Sequence, residues 1–254
     1  MAVLDSVLQE GVLVDRKWLS HQGIKATAVD YYLRSHKLEA ITAGLYRKPG
    51  PPLKWQNVVY SLSVLGHDVH VGHLTALSYH GYEQYLRLGG SGPVRLYSPE
   101  PLPSWMGRLE RTFDFTMMRR NPFSNSTVGV VEVPFGTWDW PIRYATPERA
   151  FLELASTIET EEEILGAFEL LEGAAHLRPR LLQVLLETCD SIKAKRLFLY
   201  LARSAGHAWY RYLDIAALHL GAGKRQIVRG GALDGEFLIT VPKERQHGLQ
   251  EFIF

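Results

Sequence analysis

The stretch from Trp18 to Arg47, WLSHQGIKATAVDYYLRSHKLEAITAGLYR, constrains this chain more than any other. Trp18 and Leu19 close one helical pattern, and Gly23 is placed to stop it, because glycine enters the left-handed region without steric cost. Ile24 then docks the turn, and Thr27 is expected to cap a second helix. In that helix Val29, Tyr32, Leu33 and His36 share one face at 3.6-residue spacing and are expected to pack inward. Thr27, Asp30, Tyr31, Arg34 and Lys37 then point outward together. Leu38–Ile41, a Thr42-Ala43-Gly44 turn and Leu45–Arg47 read as a short hairpin. Ahead of them, Val3–Gln9 is a short amphipathic helix and Asp15 an N-cap for the helix that carries Trp18. Three helices followed by a hairpin spell a winged helix-turn-helix.

That order predicts DNA binding. A helix with a hydroxyl, an aromatic ring and an arginine along its outer face suits a major groove, where arginine pairs with guanine and a hydroxyl meets a base edge. Thr27, Tyr31 and Arg34 are the expected base-edge contacts. Lys25, Lys37, Arg47 and Lys48 are expected on phosphates, where positive charge adds affinity without sequence information. Residues 1–50 carry seven basic against five acidic side chains, a net charge of only +2. So weak a field predicts that two copies, or a second DNA-contacting region, share the load. A structural or protein-interaction role for the three helices is the alternative reading.

Lys48-Pro49-Gly50-Pro51-Pro52 continues neither helix nor strand and marks the expected boundary between a domain of residues 1–50 and one of residues 51–254. At 254 residues the chain far exceeds one winged helix. The expected class is therefore α+β, an N-terminal winged helix-turn-helix followed by a larger mixed α/β domain. Its β-rich part is expected over 94–144, with strands at Val94–Ser98, Phe113–Arg119, Thr127–Val133 and Trp138–Tyr144. Helices are expected over 146–218, starting at a strong Thr146-Pro147-Glu148 signal, and a closing hairpin over 225–241. Between boundary and sheet, Trp55–Leu65 reads as a helix ended by Gly66.

Composition excludes several classes. Hydrophobic residues at 46% and charged ones at 22% are ordinary for a globular protein. No apolar run reaches a membrane span and no signal peptide is evident, so a cytoplasmic location is expected. One cysteine, Cys189, precludes an internal disulfide and reads as a small buried side chain. The near-neutral total hides two opposed regions: residues 148–175 hold eight acids against one base, and residues 176–230 hold ten bases against three acids. From the second, Lys193, Lys195, Arg196, Lys224 and Arg225 are expected to form a basic face for DNA or an acidic partner.

Four candidate chemistries fail on spacing. His67, His70, His73 and His80 lack accompanying acids or thiols at ligand spacing, so no metal is expected. Gly89-Gly90-Ser91-Gly92 opens like a nucleotidyltransferase motif but has no paired carboxylates after it. Leu218–Arg225 lacks the spacer and the Ser or Thr of a phosphate loop. Asp234 and Glu236 lack the lysine of a nuclease site, Leu238 standing in its place. No cofactor and no enzymatic activity are expected.

The phrases YLRSHKLEAITAGLYRKPG, HVGHLTALSYHG, ATPERAFLEL, LRPRLLQVLLETCDSIKAKRLFLYLARSAGHAW and LHLGAGKRQIVRGGALDGEFLITVP, in this order from about Val12 to Pro242, resemble the AbiEi-like antitoxins of type IV toxin–antitoxin (abortive infection) systems. The chain departs from that pattern at His73 and Ala222, where the family often has glycine and serine. The resemblance implies a winged helix that binds inverted repeats in its own promoter and represses the operon. It implies a C-terminal domain that counters a nucleotidyltransferase toxin without forming a stable complex with it. Two other classes stay open from the residues alone: a winged-helix regulator with a ligand- or protein-sensing domain, and a DNA-processing enzyme with an atypical site.

Overall fold

Helix starts and stops follow local chemistry. Residues 2–82, 92–124 and 127–243 are described by a computed structural model, and they divide into two compact units. The first comprises residues 1–71, 92–118 and 132–143, the second residues 72–91, 119–131 and 144–254. The proline-rich stretch at 49–52, expected as a boundary, lies inside the first unit.

The first unit begins with the winged helix: α1 (Ala2–Val7), β1 (Val14–Asp15), α2 (Arg16–His21), α3 (Ala26–Arg34), β2 (Glu39–Thr42) and β3 (Leu45–Arg47). The three strands form one sheet in the order β1-β3-β2. Asp15 caps α2 by accepting from the Trp18 backbone N–H at 2.7 Å. Gly23, at φ +80°, lets the Ile24 N–H return to the Leu19 carbonyl at 2.9 Å and close the helix. At the start of α3 the cap is Lys25, not Thr27: the Lys25 carbonyl accepts from the N–H groups of Ala28 and Val29, which places Thr27 inside the helix. His36 also departs from its expected inward place. The helix ends at Arg34 and His36 turns into the left-handed region (φ +54°), which exposes its ring and sends Leu38 into the core instead.

Leu4, Leu8, Val12, Leu19, Ile24, Val29, Tyr32 and Tyr46 make that core, and Trp140, far along the chain, completes it. A helix follows, α4 (Trp55–Val64), with Val58, Val59 and Leu62 buried. Asn57 in its first turn accepts from the Lys54 N–H and donates to the Gly11 carbonyl, tying α4 to the winged helix.

The remaining strands are β4 (His70–Val71), β5 (Val94–Tyr97), β6 (Phe115–Met118), β7 (Val130–Phe135) and β8 (Trp140–Ala145), in the order β6-β5-β4-β8-β7. Strands β5 and β6 pair in parallel, which a tight turn cannot achieve, and α6 (Met106–Phe113) is the crossover between them. Sequence reading missed this helix, although Met106 and Leu109 recur at helical spacing and are both buried. It also delays β6: the strand expected from Phe113 begins at Phe115, after Asp114 turns the chain at φ +50°.

The second unit is mostly helical: α5 (His73–Leu77) with a further turn to Tyr82, α7 (Pro147–Thr157), α8 (Glu161–Glu172), α9 (Pro179–Thr188) and α10 (Ile192–Ala205). Ser191 caps α10 by accepting from the Ala194 N–H at 3.2 Å, as its position predicts. At the C-terminal end, β10 (Ala232–Asp234) and β11 (Ile239–Val241) form the expected hairpin, and the two-residue β9 (Arg225–Gln226) adds to β11 in parallel.

Candidate nucleic-acid interface

On α3 the side chains of Val29 and Tyr32 are buried, while Thr27, Asp30, Tyr31 and Arg34 are exposed along one face, and Lys25 is exposed at the N-cap. Tyr31, nearly half exposed, meets the Tyr32 ring edge-on at 5.8 Å between centroids, so the buried ring orients the outer one. The acid in the row is answered locally: Asp30 pairs with Arg16 at 3.1 Å, and Arg16 donates through Nε to the Tyr46 hydroxyl at 2.8 Å. Arg34 leans back along its own helix, Nε donating to the Asp30 carbonyl at 3.3 Å. One helix face thus offers a hydroxyl, a phenol and a guanidinium, with an ammonium at its N-cap, the donors that base edges and phosphates accept.

The hairpin is less available than its sequence suggests. Arg47 is 11% exposed, pairs with Glu39 across the β2–β3 ladder, and donates to the carbonyl of Pro51 at 2.8 Å. It braces the hairpin against the chain that leaves it, and so departs from the expected phosphate set. Lys48 sits 2.8 Å from Asp5, whose carboxyl that ammonium holds below the ordinary range. Lys37 is half-buried.

The basic face expected in the second unit breaks up altogether. Lys195 and Arg196 are buried, at 3% and 1% exposure, and Lys193 is half-buried. Burial depresses the Lys193 ammonium, against the pull of Glu159 and Glu163. Only Lys224 and Arg225 of the five are exposed. Arg196 turns its guanidinium into the glycine-rich bend, donating to the carbonyls of Leu220 (2.7 Å), Gly221 (2.9 Å) and Gly223 (2.7 Å). A phosphate loop aims N–H groups at an anion; this bend aims carbonyls at a cation. Other bases of the +7 region are paired as well. Arg203 bonds both Asp234, at 2.6 Å, and Glu236, which accounts for the two acids weighed as a nuclease site. Arg178 bonds Glu148 at 2.9 Å.

The histidines separate into unrelated packing roles. His73 donates its backbone N–H to Glu153 at 2.9 Å and meets Thr157 through Nε2 at 2.8 Å. His80 Nε2 lies 2.9 Å from the Ala145 carbonyl, and His70 stacks on Tyr97. No group of three or more His, Cys, Asp or Glu side chains converges as a metal site among the described residues. Burial pushes the Cys189 thiol up to about 11, which keeps it protonated at neutral pH. Gly89-Gly90-Ser91 lies outside the described residues. No helix among them is long and apolar enough to cross a membrane.

The exposed, donor-rich α3 is followed by the β2–β3 hairpin, and comparison with known families gives this arrangement a context. Residues 2–88 match a family described as "Transcriptional regulator, AbiEi antitoxin N-terminal domain", and residues 91–242 one described as "Transcriptional regulator, AbiEi antitoxin, Type IV TA system". The chain belongs to the AbiEi antitoxin family. These AbiEi matches take in both the winged helix and the helical unit, so the family is one of transcriptional regulators in type IV toxin–antitoxin systems throughout. The AbiEi chain is also similar to the crystal structure of the RV2827C protein from Mycobacterium tuberculosis, with a TM-score of 0.59 and 17% identity over 93% of this chain and 90% of that one. At that identity the likeness concerns the fold. No curated protein matches the chain.

Proposed function

We propose that this AbiEi-family chain is the antitoxin of a type IV system and represses its own operon by setting α3 into the major groove of inverted repeats upstream of its gene. The observation that carries the reading is the exposed row on α3, Thr27, Tyr31 and Arg34, with Lys25 exposed at the N-cap. Thr27, Tyr31 and Arg34 face base edges, and Lys25, Lys37 and Lys48 lie toward phosphates. The weak charge of residues 1–50 argues for two copies on one operator, since few phosphates are neutralised per copy. Beyond the winged helix, the chain counters a nucleotidyltransferase toxin without a lasting complex; the family's description as a type IV antitoxin supports the antitoxin role. Neither role calls for catalysis by this chain.

Fluorescence anisotropy on the DNA just upstream of the gene, against a scrambled duplex and at two salt concentrations, tests the first half. Tighter binding to the upstream duplex, weakening with salt, is the expected result. Equal binding to both duplexes overturns it. For the second half, co-expression with the nucleotidyltransferase of the same operon is expected to restore growth without co-purification; growth arrest that persists overturns it.

A further inference from the structure

The wing of the winged helix is short and unevenly packed: Leu45 and Tyr46 of β3 are buried, whereas β2 and the tip at Thr42–Gly44 are half-buried or exposed. Its strands β2 and β3 have four and three residues, and their register slips between Ala40 and Thr42. In the sheet β1-β3-β2, β2 is the outer strand and pairs with β3 alone. Between it and α6 lies an open cleft of about 550 Å³, lined by Ile41, Thr42, Leu53, Leu109 and Phe113 among others. The β2 side and the tip of the hairpin are therefore not pressed onto α6.

Polar pins hold it at both ends. Arg47 ties the base to the Pro51 carbonyl, as described above. At the tip, Arg108 of α6 reaches across the cleft and donates from Nη2 to the Ala43 carbonyl at 2.7 Å. Donor and acceptor stand 65 residues apart in the chain. Ala43 is the exposed middle of the Thr42-Ala43-Gly44 turn, where Gly44 takes a φ of +80°. The anchor behind Arg108 is firm, because Met106 and Leu109 on the same helix are buried at 3% exposure each. A charge-assisted hydrogen bond from a packed helix to the exposed apex of the hairpin fixes where that apex lies.

We infer that Arg108 is a positioning residue for the wing tip, so that the crossover helix α6 is part of the DNA-reading apparatus although it lies outside residues 1–50. The functional half of this inference rests on the winged helix binding DNA as proposed above. Arg108 acts through the wing and not as a phosphate contact of its own.

The test uses the full chain with Arg108→Ala and Arg108→Lys, and Lys25→Ala for comparison. Hydrogen exchange of the free protein reads the pin without DNA: Arg108→Ala is expected to speed exchange over residues 39–47 by about tenfold and leave α10 unchanged, with Arg108→Lys nearer the wild type. On upstream DNA, Arg108→Ala is expected to weaken binding several-fold with the same salt slope, whereas Lys25→Ala lowers the slope by about 0.9. Unchanged exchange in the wing overturns the inference, and so does a salt slope that falls by about one in Arg108→Ala. Should the wild type fail to distinguish its DNA, the proposed function falls on that result, and the exchange measurement still decides whether Arg108 holds the wing.

Discussion

Trp140 of β8 stacks on Tyr60 of α4, with ring centroids 4.6 Å apart and planes 5° from parallel, and its indole N–H donates to the Gln9 side chain at 3.1 Å. The residue closes the core of a winged helix whose other members come from the first 46 positions. Truncating a buried tryptophan costs about 3–5 kcal/mol. Trp140→Ala is therefore expected to lose that much in denaturant unfolding, followed through a probe in α3. A loss below about 1 kcal/mol would place the indole outside the core.

Arg34 and Arg47 look alike in sequence and are expected to behave differently. Arg34→Ala removes an exposed base-edge donor and is expected to cost about 1–3 kcal/mol on upstream DNA, with a smaller loss on a random duplex. Equal losses on the two would remove Arg34 from the base-reading set. Arg47→Ala strips Glu39 and the Pro51 carbonyl of their partner. Lower stability with an unchanged salt slope is expected from it, and a slope reduced by about 0.9 would restore Arg47 to the phosphate set.

Acid should unfold the second unit through Glu148. Burial pushes the Glu148 pKa up, but hydrogen bonds from the Arg178 side chain and backbone outweigh it and hold the carboxyl below its ordinary 4.5. A depressed pKa adds stability that is fully present above the unfolded value and drains away as pH falls through the folded one. Denaturation profiles are therefore expected to decline below about pH 4.5, with Glu148→Gln less stable at neutral pH and converging on the wild type in acid. Parallel profiles across that range would assign the acid limb to other carboxylates.

Arg196 serves three carbonyls from one bend, and only a planar fork reaches all of them. Arg196→Lys keeps the charge and is expected to lose about 3 kcal/mol, with faster hydrogen exchange over residues 218–226. A variant as stable as the wild type would show that water satisfies those carbonyls equally well.

Local chemistry made much of the fold legible. Asp15 caps the helix it was expected to cap, Gly23 ends α2, and the hairpin turns at Thr42–Gly44, because each depends on groups within about four residues. The exposed row on α3 was also readable, since helical periodicity alone separates Val29 and Tyr32 from Thr27, Tyr31 and Arg34. Both ends of α3 were misjudged: hydrogen bonding to the Lys25 carbonyl starts the helix before the expected cap Thr27, and the left-handed turn at His36 ends a periodicity that was carried past Arg34.

What the sequence determined, then, is the order of elements, their local stops and the residues that α3 exposes. Tertiary structure alone decided which charges remain available for a partner. A lysine or arginine is equally basic wherever it stands, but its exposure depends on acceptors brought from elsewhere in the chain. Arg196 is buried because the bend at 220–223 turns its carbonyls inward, and Arg47 is occupied because the chain after the hairpin folds back past it. The same holds for Trp140 and Arg108, which join the winged helix from 131 and 65 residues away from their partners, over distances at which no local pattern announces the contact.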